Sequence, residues 1–117
     1  MSTFEEANLS YLEDLSGGNS SIIVEIIDLF LNQTPGDFDT LVQHVQDTNW
    51  EGAYRMAHHI KPTLAYVGAN TMRDELNSIE RLTKEGTALD TILPRLEGVR
   101  TRLAILYSEL KAYKAAM

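Results

Sequence analysis

Apolar residues recur every three or four positions along most of this 117-residue chain, which is the spacing of one face of an α-helix. The pattern is clearest between about Thr91 and Tyr113, where it forms an almost unbroken heptad seam. The sequence contains no strand-like alternation, no glycine-rich phosphate loop and no internal repeat. The chain is therefore predicted to be all-α.

Capping residues divide this pattern into one short helix and four long ones. The predicted bounds are about residues 8–16 before Gly17 and Gly18, Asn19 to about Asp47, Asn49 to Gly68, Asn70 to Gly86, and about Thr91 to Tyr113 with Pro94 near the first turn. Short loops between long amphipathic helices predict an antiparallel, up-down four-helix bundle with a short N-terminal capping helix. The length predicts a single domain over residues 1–117.

Pro35 interrupts the second helical pattern, although the apolar stripe stays nearly in phase across it. Either Thr34 caps a new helix with Pro35 in its first position, or one long helix continues with a kink, and we favour the long kinked helix.

Each of the five predicted helices has one apolar stripe. In chain order, the stripes are Leu9, Leu12 and Leu15; Ile23, Ile26, Ile27 and Phe30, continued by Phe38, Leu41, Val42 and Val45; Trp50, Ala53, Ala57, Ile60, Leu64 and Val67; Met72, Leu76 and Ile79; and Ile92, Leu96, Val99, Leu103, Leu106, Leu110 and Tyr113.

The composition excludes several classes of function. The chain has no cysteine, so it can form no disulfide and has no thiol nucleophile. A net charge of −7 argues against nucleic-acid binding and gives a mild bias towards cationic partners. The N-terminus lacks the features of a signal peptide, and no apolar run is long enough to span a membrane, so a cytoplasmic location is expected.

Two adjacent histidines, His58 and His59, fall on the third helix. With the stripe that contains Ala57 and Ile60 pointing into the core, His58 lies roughly 140° from the core direction and His59 roughly 120° from it in the opposite sense. Both are expected to be exposed and to face different directions, too far apart to share an ion. No inward-facing His–Glu pair at helical spacing exists either, so no metal site is predicted.

The neighbours of the two histidines favour His58 as the functional one. His58 shares a ridge with Tyr54, Lys61 and Ala65, its neighbours one or two turns away. Lys61 can bring an ammonium group close to whatever the imidazole carries, and Ala65 leaves open space. The neighbours of His59 are bulkier, and His59 is read as an ordinary solvated histidine, as is His44.

The segment Ala57-His58-x-Ile60-Lys61-x-Thr63, followed by Val67-Gly68-Ala69, resembles the signature of histidine-containing phosphotransfer (HPt) domains of two-component phosphorelays. The resemblance implies that His58 accepts a phosphoryl group and that Lys61 stabilises the phosphoryl oxygens. It also implies a partner-binding surface around His58, formed by the third, second and first helices, for which the candidates are Tyr54, Pro62, Ala65 and Gly68.

A neutral imidazole is nucleophilic near pH 7, which suits this role. The family works without a bound cofactor, so none is expected, and the Mg²⁺ would belong to the partner. The implied partners are response-regulator receiver domains and a hybrid sensor kinase. The protein would be a phosphocarrier rather than an enzyme, and a monomer. A helical adaptor that docks partners without being phosphorylated is the alternative.

Pro62 departs from the family pattern, which usually has glycine at this position. Proline lacks the N–H that would bond the His58 carbonyl, and its ring crowds that carbonyl. We therefore expect a kink or a water-bound carbonyl at this turn, with Pro62 on the exposed face.

Overall fold

The computed structural model describes residues 4–117, and these residues form helices and loops without any β-strand. The prediction of an all-α chain is confirmed. The helices are α1 (Ser10–Ser16), α2 (Ser20–Gln46), α3 (Trp50–Tyr66), α4 (Asn70–Glu85) and α5 (Ile92–Ala115), with a 3₁₀ turn at Leu89–Thr91 before α5. No helix in residues 4–117 has a stretch that is both long and apolar enough to cross a bilayer.

The capping residues seen in the sequence set most of the helix ends. The side-chain oxygens of Asn19 and Asn49 accept hydrogen bonds from the first-turn N–H groups of α2 and α3. Gly17 and Gly86 adopt the left-handed conformation that ends α1 and α4. Helix α1 begins at Ser10, two residues later than expected, because Asn8 is held by other bonds: its N–H donates to the Val67 carbonyl, and its side chain accepts from the Ser10 N–H.

Pro35 lies inside α2, which runs as one helix from Ser20 to Gln46. The predicted long helix is confirmed, and the alternative of a new helix beginning at Thr34 is excluded. Thr34 is buried, as are the apolar residues on either side of the proline, Phe30 and Phe38. The apolar stripe thus continues through the proline because both halves of α2 pack on the same core.

The buried side chains of all five helices form one hydrophobic cluster that extends from Ala7 to Leu110 in the sequence. Helix α3 packs against α4 and α2, α5 packs against α2 and α4, and α1 lies on α2. Of the predicted stripes, Ile26, Trp50 and Tyr113 are only half-buried. Leu15 is exposed, because a spacing of three shifts each successive residue by about 60° around the helix, and the stripe has moved away from the core by the last turn of α1.

The segment before α1 is attached to α5. One carboxylate, that of Glu109, accepts hydrogen bonds from the backbone N–H groups of Glu5, Glu6 and Ala7. The carboxylate of Glu6 in turn pairs with Arg102 of α5, with an Nε–Oε1 distance of 2.7 Å. These contacts hold the segment that leads to Asn8 and α1 against α5.

Candidate functional site

The two histidines of α3 are both exposed, and they pair with different helices. His58 has 67 % of its side chain exposed and lies against Glu80 of α4, whereas His59 has 61 % exposed and lies 3.3 Å from Asp37 of α2. The prediction that they are exposed and face different directions is confirmed. They cannot act on one ligand together, so the site has to be built around one of them.

The carboxylate of Glu80 joins His58 to Lys61. Its Oε2 lies 3.1 Å from Nδ1 of His58, and its Oε1 lies 2.6 Å from Nζ of Lys61. The Lys61 ammonium also donates to Oδ1 of Asn77, one turn earlier in α4, at 2.9 Å. The ridge of α3 that carries His58 and Lys61 is thereby fixed to two polar residues of α4.

Glu80 is ionised and well shielded, with only 14 % of its side chain exposed. Burial by itself raises the pKa of this carboxyl, but the hydrogen bonds and positive charges of Lys61 and His58 outweigh burial, so the pKa lies below its usual value. A buried carboxylate without such partners would be strongly destabilising. The cationic Lys61 therefore keeps a negative charge in place beside the imidazole.

This contact decides which nitrogen of His58 is available for chemistry. A carboxylate accepts hydrogen bonds and does not donate them, so the proton of the neutral ring sits on Nδ1. Within residues 4–117, the side-chain hydrogen bonds of His58 all involve Nδ1. The lone pair of the neutral ring is consequently on Nε2, at the exposed side of the histidine.

Tyr54 lies one turn before His58 on the same ridge, and it is half-buried against α4. The ammonium group of Lys84 lies 5.4 Å from the centre of its ring, within the range of a cation–π interaction. The α4 side of the ridge thus carries Tyr54, His58 and Lys61 in a row, each with a partner from α4.

The other predicted partner-binding residues lie along a groove at the C-terminal end of α3. They are Pro62, Ala65 and Gly68. This groove has a volume of about 690 Å³, and its other wall comes from α1 and the segment before it. Pro62 is exposed, as predicted, and α3 continues through it to Tyr66. The predicted kink, or a water on the His58 carbonyl, stays a prediction.

Gly68 has a structural task in addition to any contact with a partner. Its φ of +73° is in the left-handed region, and an added Cβ would overlap the carbonyl oxygen of Asn8. Glycine is therefore required for the segment before α1 to pass close to the end of α3.

A surface that we call the apolar face borders the groove of Pro62, Ala65 and Gly68 on the side of α2. We use this name for five exposed side chains, Tyr11, Leu15, Ile22, Leu29 and Tyr66. Leu15, Leu29 and Tyr66 line an apolar groove of about 390 Å³ between α1, α2 and α3, and Tyr11 stacks on Tyr66 with ring centres 6.2 Å apart. Neighbouring exposed apolar side chains are frequent at interaction surfaces.

Four residues of this region escaped the sequence reasoning. The prediction for α4 named only its apolar stripe and did not mention Asn77 or Glu80. Each of the two directly follows a buried residue of that stripe, Leu76 or Ile79, and this position at the edge of the stripe was a usable signal. Leu29 and Ile22 fall outside the predicted stripe of α2, and an apolar residue outside a buried stripe is itself a signal of a contact surface.

Residues 4–117 contain no group of three or more histidine, aspartate or glutamate side chains that could hold a metal ion. The polar residues around His58 are one carboxylate, one ammonium and one amide. They can hold and orient an imidazole and attract an anion to it, and this is the chemistry that the site offers.

Comparison with protein families matches residues 25–113 to the Hpt domain, which covers all of α3 and α4, most of α2 and nearly all of α5. Neither the comparison with curated proteins nor the comparison with solved structures found a match. Hpt domains act in phosphorelays, where they exchange phosphoryl groups with receiver domains and kinases. The match spans well over half of the sequence, and the chain belongs to the Hpt domain family.

Proposed function

We propose that this chain is a phosphocarrier that takes a phosphoryl group from the aspartate of one receiver domain onto His58 and passes it to another. The observation that carries the proposal is the contact between Nδ1 of His58 and Glu80, which leaves the exposed Nε2 as the nucleophile in a chain of the Hpt family. His59 contacts the carboxylate of Asp37 through Nε2. The residues one helical turn from His59 include no lysine.

In the proposed step, the Nε2 lone pair attacks the phosphorus atom of an aspartyl phosphate. The N–P bond forms as the P–O bond to the aspartate breaks, and the aspartate leaves as a carboxylate. No proton has to leave the ring, because the Nδ1 proton stays between His58 and Glu80. The positive charge that develops on the ring is stabilised by the carboxylate of Glu80. Reversal of the same step returns the phosphoryl group to a second receiver.

Lys61 is proposed to stabilise the phosphoryl oxygens. Its ammonium is already held on the same ridge by Glu80 and Asn77, and its side chain is 21 % exposed. A phosphoryl group on Nε2 adds negative charge next to it, so a small rotation of the long lysine side chain suffices for contact. Catalysis of phosphoryl transfer consists largely of such positioning and charge stabilisation.

We place the receiver on the surface that surrounds His58. Tyr54, Pro62, Ala65 and Gly68 are the proposed contact residues along α3, and the apolar face extends this surface over α1 and α2. The Mg²⁺ needed for aspartyl phosphate chemistry would come with the receiver, so the proposal requires no cofactor in this chain.

The proposal includes an architecture. We propose that α2 to α5 form the antiparallel, up-down bundle expected from their short loops, and that residues 1–117 form one domain, of which residues 1–3 lie outside the described part. The pairwise contacts of the four long helices and their common core support this arrangement. We further propose that the protein acts as a cytoplasmic monomer supplied by a hybrid sensor kinase.

The alternative function is an adaptor that docks receivers without carrying phosphate. The apolar face would serve either function, so it does not separate them. The shared carboxylate favours the phosphocarrier, because a docking surface does not need a histidine with a fixed tautomer beside a lysine.

The deciding experiment is incubation with phosphorylated receiver domains, followed by assay of acid-labile, base-stable phosphate on the protein. Label that is lost in His58→Gln and retained in His59→Gln is the expected result. The opposite pattern would move the site to His59. Absence of label with every receiver, combined with measurable binding to one of them, would identify an adaptor.

A further inference from the structure

The charges of this chain are divided unevenly along its sequence. Residues 1–54 contain ten aspartate and glutamate residues and no lysine or arginine, so their formal charge is −10. All ten lysine and arginine residues follow, from Arg55 onwards, together with seven acidic ones, which gives +3. The division coincides with the fold, because α1 and α2 lie in the first part and α4 and α5 in the second.

Two of the α2 carboxylates form ion pairs with α5. Asp28 pairs with Lys114, and Asp39 pairs with Arg100. These pairs lie on the side of α2 that faces α5, and they neutralise charge there. The other two acidic residues of α2, Glu25 and Asp37, make no ion pair with the described part of α5 and lie next to the apolar face.

Three acidic residues stand around the apolar face. Asp37 lines the apolar groove, and Asp14 lines the neighbouring groove beside Tyr11 and Tyr66. Glu25 is exposed and lies one helical turn from both Ile22 and Leu29 of α2. We call Asp14, Glu25 and Asp37 the acidic rim. Asp37 contacts His59, whereas Asp14 and Glu25 make no ion pair with any part of residues 4–117.

We propose that the apolar face binds a receiver domain whose docking surface has an apolar centre surrounded by lysine or arginine, and that Asp14 and Glu25 select that receiver. The proposal rests on the proposed function and narrows its partner. A second copy of this chain is a poor occupant, because two acidic rims would repel each other. Opposite charges around an apolar contact chiefly accelerate association and reject partners with the wrong charge.

The test uses two double variants with the same change in net charge. In D14K/E25K the acidic rim is reversed. In the control, D47K/D90K, two exposed acidic residues elsewhere are reversed: Asp47 at the C-terminal end of α2, more than twenty residues beyond Glu25, and Asp90 in the 3₁₀ turn before α5. Thermal unfolding of both variants establishes that they fold. The probe is the receiver domain that transfers phosphate fastest to the wild-type protein.

We expect D14K/E25K to raise the Kd for this receiver about tenfold at about 50 mM salt, mainly through slower association, and by less than about threefold at about 500 mM salt, where screening is strong. The control is expected to change the Kd by less than about twofold. At saturating receiver concentration, D14K/E25K should transfer phosphate at the wild-type rate, because His58 and Lys61 are intact.

Equal weakening by both double variants would overturn the inference, since net charge alone would then explain the effect. An unchanged Kd in D14K/E25K, with phosphate transfer intact, would overturn the inference and leave the proposed function standing. If no receiver transfers phosphate to the wild-type protein, the proposed function fails, and this inference fails with it.

Discussion

The Oε2 atom of Glu80 lies 3.1 Å from Nδ1 of His58, so a residue of α4 determines which nitrogen of an α3 histidine faces the solvent. The same carboxylate binds Lys61. The orientation of the histidine thus depends on how two helices are packed, and not on α3 alone.

Replacing Glu80 by glutamine should slow phosphoryl transfer to His58 about tenfold at saturating receiver, equivalent to about 1.4 kcal/mol. The amide oxygen can still accept from Nδ1–H, but it lacks the charge that stabilises a cationic phosphorylated ring. The rate of labelling by a phosphorylated receiver measures this effect. Glu85→Gln, at an exposed position of α4 whose carboxylate pairs with Arg81, is the control and should leave the rate unchanged. Equal rates for wild type and Glu80→Gln would remove Glu80 from the mechanism.

The same carboxyl should make the protein less stable in acid. Its pKa in the folded state is below the usual 4.5 because Lys61 and His58 outweigh burial, so the unfolded chain binds the proton more tightly than the folded one. The stability that Glu80 contributes is therefore present above about pH 5 and is lost as the pH falls through 4.5 towards the folded-state pKa.

Urea unfolding of wild type and Glu80→Gln over a range of pH tests this expectation. The wild type should be more stable by about 1–2 kcal/mol at neutral pH, the scale of a hydrogen bond to a charged group. This difference should shrink in acid, and a difference that grows as the pH falls would contradict it.

Much of the site was predictable from the sequence, because it depends on positions along one helix. The exposure of His58 and His59 and their divergence follow from 100° per residue, and the cap at Asn49 set the start of α3. The role of Glu80 was not predictable in this way. It requires knowing which side of α4 meets α3, and the stripe of Met72, Leu76 and Ile79 gives only the direction of the core.

Replacing Gly68 by alanine should destabilise the fold by roughly 2–4 kcal/mol, since it adds both left-handed strain and overlap with a backbone carbonyl. The segment before α1 would have to move away from α3. Chemical denaturation gives the loss of stability, and hydrogen exchange of the Asn8 amide, which donates to Val67, reports the displacement.

Gly98→Ala is the matched control, because Gly98 lies inside α5 and has open space around its Cβ position. It should raise stability by about 0.5–1 kcal/mol through its better helix propensity. A Gly68→Ala variant as stable as the wild type would show that the contact with Asn8 is readily given up.

Replacing Tyr107 by phenylalanine should leave stability unchanged or raise it by up to about 1 kcal/mol. The Tyr107 hydroxyl is buried and has no hydrogen-bond partner within residues 4–117, so its removal costs no bond. Tyr113→Phe is the control. It loses a 2.7 Å bond to Glu13 and should be destabilised by about 0.5–1 kcal/mol. Destabilisation by Tyr107→Phe equal to that of the control would reveal a partner for the hydroxyl.

Spectroscopic titration of the tyrosines provides a second measurement on Tyr107. Burial, followed by the negative charge of Asp39, raises the pKa of Tyr107 to about 12. One tyrosine of wild type should thus ionise well after the exposed ones, and this late step should be missing in Tyr107→Phe.

The fold followed from local signals wherever a helix end depends on its own cap, as at Asn19, Gly17 and Gly86. The fold differed from the sequence-based prediction where residues distant in the sequence make contacts with a helix or its end. Asn8 was expected inside α1, but its bonds to Val67, just beyond α3, and to the Ser10 N–H delay the helix to Ser10. Leu15 was predicted to belong to the apolar stripe of α1. It is exposed instead, and it lines a groove together with residues of α2 and α3.

The attachment of the first described residues to α5 has a topological consequence. Phe4 and Tyr113 lie with ring centres 6.3 Å apart, and the Glu5 N–H donates to Glu109, so the chain nearly closes into a ring. A circular permutant, joined there by a short linker and opened between Gly86 and Leu89, would then retain every helix and the pairing of His58 with Glu80. The order of the helices along the polypeptide is in that sense separable from the site they build.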